Sequence, residues 1–84
     1  MIPSKAENPN GLHQRYRVSK SDGSPVDPRA IYFVLRLDGF GSDPGHIAAC
    51  RAAALAYAAN APEWMKQTAD ELKHLVEYFE SGQL

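Results

Sequence analysis

The alternation of apolar and polar residues is clearest between Ala30 and Asp38, in a run rich in β-branched and aromatic side chains. Such a run predicts a β-strand. One face of this strand is expected to be wholly apolar, with Ile31, Phe33, Leu35 and Leu37. The opposite face is expected to be mixed, with Tyr32, Val34, Arg36 and Asp38. The apolar face therefore requires another element to cover it.

A second alternating run covers residues 14–20, where Tyr16 and Val18 alternate with arginines and a serine. This pattern is typical of a half-buried strand. The intervening segment 21–28 is dense in Asp, Gly, Ser and Pro, all of which favour turns. We therefore expect the two runs to pair as an antiparallel hairpin, preceded by an irregular arm over residues 1–13.

The second half of the chain shows the three- and four-residue spacing of helices. Asp43 followed by Pro44 predicts a capped helix start, and the pattern continues to about Asn60. The apolar stripe of this helix consists of Ile47, Cys50, Ala54, Tyr57, Ala58 and Ala61.

A second helix is expected directly after the first. Asn60 with Glu63 resembles a capping box, while Thr68 with Glu71 offers a later start. Gly82 is expected to end the helix. Its core stripe is Met65, Ala69, Leu72, Val76 and Phe79, widened by Trp64 and Leu75. Because the connection is very short, the two helices are expected to pack antiparallel.

These elements predict an α+β fold in the order β-β-α-α, with a two-stranded antiparallel hairpin packed on an antiparallel pair of α-helices. The 84 residues are expected to form a single domain. A chain of this length encloses little space, which disfavours a buried enzyme active site.

The charges are unevenly distributed, although the net charge is only −1. Residues 1–38 carry six Lys or Arg and four acids, whereas residues 39–84 carry three and six. This polarity is too weak to indicate nucleic acid by itself. Short apolar runs, an N-terminus without the apolar segment of a signal peptide, and a single cysteine together favour a cytoplasmic location.

The residues capable of chemistry form no recognised motif. Cys50 follows His46 by one helical turn, but it lies among alanines in mid-helix, so a packed core residue is expected rather than a reactive thiol. An intermolecular disulfide is the third alternative for Cys50.

Two further motifs favour structure over chemistry. The three histidines, His13, His46 and His74, lack the spacing of a metal site. The loop 39–41 resembles a phosphate-binding loop, but Asp43 occupies the helix N-terminus that an anion would need. We therefore expect no catalytic residue, no metal and no cofactor, and a protein that is not an enzyme.

Two surfaces are candidates for binding a partner. The outer face of the expected hairpin combines arginines with apolar side chains, namely Arg15, Arg17, Tyr32, Val34 and Arg36. Such mixtures suit protein contacts or nucleic-acid backbones. The alternative surface is an acidic row on the second helix, namely Glu63, Asp70 and Glu77.

The motifs Asn8-Pro9-Asn10-Gly11-Leu12-His13, Tyr16 to Lys20, Asp22 to Pro28, Tyr32 to Arg36 and Asp43 to His46 resemble those of short proteins from bacterial phage and prophage regions. The resemblance covers roughly residues 8–58. In size and in its lack of catalytic residues, the chain is also similar to anti-CRISPR proteins, which typically bind and block a CRISPR effector complex. The resemblance implies a protein-binding inhibitor in the host cytoplasm.

A host protein complex is therefore the expected partner, and a CRISPR effector is the leading candidate. The alternative is a weak nucleic-acid-binding accessory protein that uses the basic face of the hairpin. A weak homodimer is also expected, because a two-stranded sheet leaves its edges and one face uncovered. No contact with a membrane is expected.

Overall fold

Helices are the only regular elements in the part of the chain that is described, residues 2–82 of this computed structural model. The chain divides into two compact units, an N-terminal unit of residues 2–34 and a C-terminal unit of residues 35–82. The C-terminal unit contains α1 (Pro44–Asn60), a 3₁₀ turn (Glu63–Met65) and α2 (Lys66–Glu80). The described residues are therefore all-α, and the α+β prediction is wrong.

The start of α1 is fixed by the side chain that the sequence indicates. Oδ1 of Asp43 accepts a hydrogen bond from the backbone N–H of His46 at 3.0 Å, and Pro44 occupies the first helical turn. The carboxylate thus satisfies a backbone donor that has no partner within the helix. The prediction for this helix start is confirmed.

The connection between the helices differs from the prediction. Nδ2 of Asn60 donates to the carbonyl oxygen of Ala56 at 2.8 Å, so this side chain serves the end of α1 and does not cap α2. Pro62 then precedes the 3₁₀ turn, and no side chain caps it. The predicted cap at Asn60 is therefore wrong. The 3₁₀ turn begins at Glu63 and leads directly into α2 at Lys66, which lies between the two starts considered.

The end of α2 agrees with the prediction. Ser81 closes the helix, with its backbone N–H donating to the carbonyl oxygen of Glu77 at 3.0 Å. Gly82 follows with a φ of 79°, a conformation that costs glycine little because it has no Cβ.

The core of the C-terminal unit is a narrow seam between the two helices. Its buried apolar residues are Ile47, Cys50, Ala54, Ala69 and Val76. At one end the rings of Phe40 and Phe79 meet edge to face, with centroids 6.3 Å apart. This contact places the start of α1 beside the end of α2, so the helices are antiparallel, as predicted.

Three residues assigned to the apolar stripes remain outside the seam. Trp64 is 82% exposed, because the 3₁₀ turn takes it out of the α-helical spacing. Leu75 and Tyr57 are also exposed. They flank the seam, and a single neighbouring helix covers only the centre of a wide stripe.

No strand is present among residues 2–82, and the two runs predicted to form a hairpin do not pair. Ile31 and Phe33, expected beneath the helices, are 60% and 66% exposed. Local hydrogen bonds organise the intervening segment instead. The carboxylate of Asp22 binds Ser24, and that of Asp27 binds the backbone N–H of Arg29. Such local bonds compete with sheet pairing, and a two-stranded sheet is marginal by itself.

We predict that Asp43→Ala lowers the free energy of unfolding by about 1 kcal/mol, because it removes the N-cap of α1. Asp43→Asn retains an oxygen acceptor and is expected to restore most of this loss. Urea unfolding followed by circular dichroism measures the difference. Equal stability of the alanine and asparagine variants would contradict a capping role.

We predict that Val76→Ala costs about 2 kcal/mol, because Val76 is fully buried between the helices and its replacement leaves a cavity. Leu75→Ala is the matched control, since it removes a larger side chain from the neighbouring, exposed position. The control is expected to cost less. Calorimetric melting of both variants tests this order, which an equal loss would contradict.

Candidate functional site

Four of the five residues predicted to bind a partner lie in the N-terminal unit. Arg15, Arg17, Tyr32 and Val34 are all exposed there. The fifth, Arg36, lies in the C-terminal unit, where its Nε donates to Oδ2 of Asp38 at 2.9 Å. These assignments stay predictions, although the sheet proposed to carry them is absent from the described residues.

The N-terminal unit contains a groove of about 560 Å³. Two stretches of chain form its walls, with a contribution from Ile2. One wall is formed by Gln14, Tyr16 and Val18, and the other by the continuous segment 26–32. The groove therefore contains Tyr32, one of the predicted residues, and its lining combines aliphatic and aromatic side chains with the polar side chains of Gln14, Asp27 and Arg29.

The first wall of the groove follows a two-residue period. Gln14, Tyr16 and Val18 line the groove, whereas Arg15 and Arg17 do not. This is the alternation of an extended chain, whose successive side chains point to opposite faces. Alternate side chains of segment 14–18 thus line the groove, but the segment forms no strand in residues 2–82, and Tyr16 and Val18 are exposed where a half-buried strand was expected.

A folded loop precedes this wall. The carbonyl oxygen of Pro3 accepts from the backbone N–H of Gln14 at 2.9 Å, which joins the two ends of segment 3–14. Inside the loop, Nδ1 of His13 lies 2.8 Å from the carbonyl oxygen of Asn8 and 2.9 Å from that of Gly11. Both oxygens are acceptors, so Nδ1 carries the hydrogen.

The structural role of His13 was not predicted from the sequence. Its side chain is 7% exposed, and it is the one polar residue among those described that is classed as buried. Gly11 leaves room for the side chain of Asn8, because a Cβ at that position would lie 2.6 Å from Nδ2 of Asn8, which donates to the carbonyl oxygen of Leu12. The turn residues of segment 8–13 were the available signal, but nothing in them indicated that the imidazole turns inward.

The carboxylates of the N-terminal unit are all engaged locally. The backbone N–H of Ser4 and then its hydroxyl lower the pKa of Glu7. The hydroxyl of Ser24 and then its backbone N–H lower the pKa of Asp22. The guanidinium of Arg29 and then its backbone N–H lower the pKa of Asp27. These three acids are therefore ionised at neutral pH and already have partners.

The positive charges in the same unit are mostly unengaged. Arg15, Arg17 and Lys20 make no side-chain hydrogen bond or ion pair with the described residues. Arg29 differs, since its Nη2 lies 3.1 Å from Oδ2 of Asp27. The charges available to a partner on this unit are thus positive.

The alternative acidic surface lies on the C-terminal unit. Glu63, Asp70 and Glu77 are all exposed. Glu63 belongs to the 3₁₀ turn, whereas the other two lie on α2. Oδ2 of Asp70 is 3.6 Å from Nζ of Lys66, one helical turn earlier, so part of its charge is balanced.

The residues considered for chemistry have structural surroundings. The Sγ of Cys50 is 3.6 Å from Nε2 of His46, but Cys50 is only 3% exposed. Asp43 caps α1 directly after the glycine loop. Within residues 2–82, no three His, Cys, Asp or Glu side chains are grouped closely enough to hold a metal ion. Neither helix in this range is long and apolar enough to cross a membrane.

Comparison with protein-family models, with curated protein sequences and with solved structures finds no significant match to this chain. The case for a function therefore depends on the geometry and chemistry of its own residues.

We predict that Arg36→Met raises the pKa of Asp38 toward its ordinary value of 3.8, because the Arg36 side chain and then the backbone N–H of Phe40 hold it lower. Arg29→Met is the matched control and is expected to raise the pKa of Asp27 alone. Carbon-detected NMR titration measures both carboxyl groups in each variant.

The corresponding pH dependence of stability has a definite sign. Because both folded pKa values lie below 3.8, the stabilisation is complete above that pH and is lost as pH falls through the lowered values. A titration of Asp38 that does not change in Arg36→Met would contradict the assigned cause.

Proposed function

We propose that this chain is a small phage-type binding protein that inhibits a host defence complex by covering a surface of it, with a CRISPR effector complex as the candidate target. The exposed apolar residues of the N-terminal unit carry the proposal. They are Leu12, Tyr16, Val18, Ile31, Tyr32, Phe33 and Val34.

Exposed apolar groups of this kind support binding because they lose contact with water when a partner covers them. Scattered single apolar residues on a surface need no explanation, but concentrated ones mark interaction sites. Here they occur within two short stretches, 12–18 and 31–34. The burial of one large apolar side chain contributes about 1.5–3 kcal/mol, so a partner that covers several of them gains substantial affinity.

The residue types also suit a protein interface. Tyrosine and arginine are enriched in such interfaces and dominate their binding energy. Tyr16, Tyr32, Arg15 and Arg17 are exposed in one compact unit. The resemblance of residues 8–58 to short phage and prophage proteins provides the link to host defence.

Direct binding of nucleic acid is the second candidate. It is favoured by the two unengaged arginines, Arg15 and Arg17, beside exposed tyrosines on which bases could stack. The net charge of −1 opposes it, because affinity for a polyanion depends on neutralised phosphates and falls with salt. Protein binding therefore has the stronger support.

We predict that the chain co-purifies with a CRISPR effector of its host and reduces target cleavage when added to the purified effector. The variant Arg17→Glu, Tyr32→Ala, with changes in the N-terminal unit only, is expected to weaken inhibition about tenfold or more, since arginine and tyrosine are common interface hot spots. Tyr57→Ala, which removes an exposed aromatic side chain from α1, is the matched control and should inhibit normally.

Three results would contradict this proposal. If the chain binds no CRISPR effector of its host, the candidate target is wrong. Full inhibition by the N-terminal variant, with loss in Glu63→Lys, Glu77→Lys, would move the binding surface to the acidic row. Tight binding of a labelled oligonucleotide that persists at physiological salt would favour the nucleic-acid alternative.

A further inference from the structure

We infer that the groove of the N-terminal unit takes an extended segment of a protein partner in which acidic and apolar residues alternate, and that this segment is added along residues 15–19 as a strand. The inference rests on the proposed function, since it names the kind of partner segment that the same surface binds. Three features support it, namely the unpaired peptide groups along the groove, the alternation of side chains in an extended segment, and the positive charge of two arginines.

The peptide groups along the groove are largely unpaired within residues 2–82. Between Arg15 and Ser19, the one hydrogen bond made within residues 2–82 is to the carbonyl oxygen of Tyr16, from Nε2 of Gln14 at 3.4 Å. The peptide groups of 31–34 make none in the same range. An extended chain with unpaired donors and acceptors binds another extended chain through main-chain hydrogen bonds.

The side chains of the partner segment are expected to alternate in type with a period of two residues. A strand that pairs with residues 15–19 presents its side chains alternately to the two faces of the pair. On the groove face these side chains meet Tyr16 and Val18 of this wall and Ile31 and Tyr32 of the opposite wall. The two charged residues of the opposite wall, Asp27 and Arg29, are already paired with each other. Apolar side chains are therefore favoured at every second position of the partner segment.

The side chains of residues 15–19 that do not line the groove include two positive charges. Side chains on the other face of the added strand meet Arg15 and Arg17, which do not line the groove and have no ion pair within the described residues. The two arginines are two positions apart, about 6–7 Å along an extended chain. Carboxylates at alternate positions of the partner match this separation, and they lie on the face away from Asp27, the one carboxylate among the described residues that line the groove.

A second copy of this chain is a poorer occupant than a separate partner. If the same segment of another copy paired with residues 15–19, its own arginines would lie beside Arg15 and Arg17, and like charges directly opposite are destabilising. The acids of α2 are arranged on a helix, so they do not present an extended edge. The occupant is therefore an acidic and apolar segment of a different protein.

Peptide selection against the full-length chain tests this inference without the effector. A display library of random decapeptides is selected on the immobilised protein. We expect enriched sequences to carry Asp or Glu at every second position, with aliphatic or aromatic residues between them. The best peptide is expected to bind Arg15→Glu, Arg17→Glu about tenfold or more weakly, because charge pairs across an interface become like-charge contacts.

The variant Lys66→Glu, Lys73→Glu is the matched control. It changes the net charge equally but on α2, and it is expected to bind the peptide normally once circular dichroism has shown that both double variants are folded. A loss of affinity that is equal in the two variants would reduce the effect to net charge and overturn the inference.

Backbone methylation distinguishes strand addition from other modes. In an added strand, alternate N–H groups face the host edge while the remaining ones face solvent. Two versions of the best peptide are therefore made, each N-methylated at one alternate set of residues. One version is expected to lose about tenfold or more in affinity and the other to bind nearly as before. Equal behaviour of the two versions would overturn the strand mode.

The remaining outcomes separate this inference from the proposed function. The inference would be overturned if the selected peptides carry basic residues, or if their apolar residues show the three- and four-residue spacing of a helix. It would also be overturned if the same peptides are enriched equally on the Arg15→Glu, Arg17→Glu variant. Each of these results counts against it even if inhibition of an effector is observed. Displacement of the peptide by an equal concentration of oligothymidine would assign the surface to nucleic acid. If the chain binds the peptide but no CRISPR effector, strand addition is supported and the proposed target is wrong.

Discussion

The seam between α1 and α2 is the contact on which the folded C-terminal unit depends. It is built from small residues, with Ala54 and Ala69 beside Ile47, Cys50 and Val76. Small side chains let the helix axes approach closely, but they also limit the apolar area that the pair can bury. Larger apolar groups that flank the seam, such as Tyr57 and Leu75, consequently remain exposed.

The N-terminal unit is held together in another way. Its bonds are local ones between side chains and backbone, at Ser4 with Glu7, at Asp22 and Asp27, and around the buried imidazole of His13. Turns made in this way engage their own carboxylates and leave the extended stretches between them unpaired. The carboxylates of this unit are therefore occupied while its arginines and aromatic side chains remain available, which is the basis of the proposed binding surface.

Sequence reasoning was reliable where a property depends on residues close together in the chain. The Asp43 cap, the antiparallel helices and the end of α2 at Gly82 all follow from local spacing, because helix hydrogen bonds join residues four apart. The half-buried strand expected over residues 14–20 was wrong, since Tyr16 and Val18 are 58% and 41% exposed. The role of His13 could not be read, since it depends on a loop that closes around the side chain.

The sequence by itself determined which segments are helical and that most of the positive charge lies in residues 1–38. Only the tertiary structure decided that the two alternating segments do not pair, since alternation gives a chain two faces without supplying it with a partner. It also decided which apolar residues were buried. Periodicity marks a stripe on α2, but the width of the stripe that is covered depends on the small side chains of the helix packed against it.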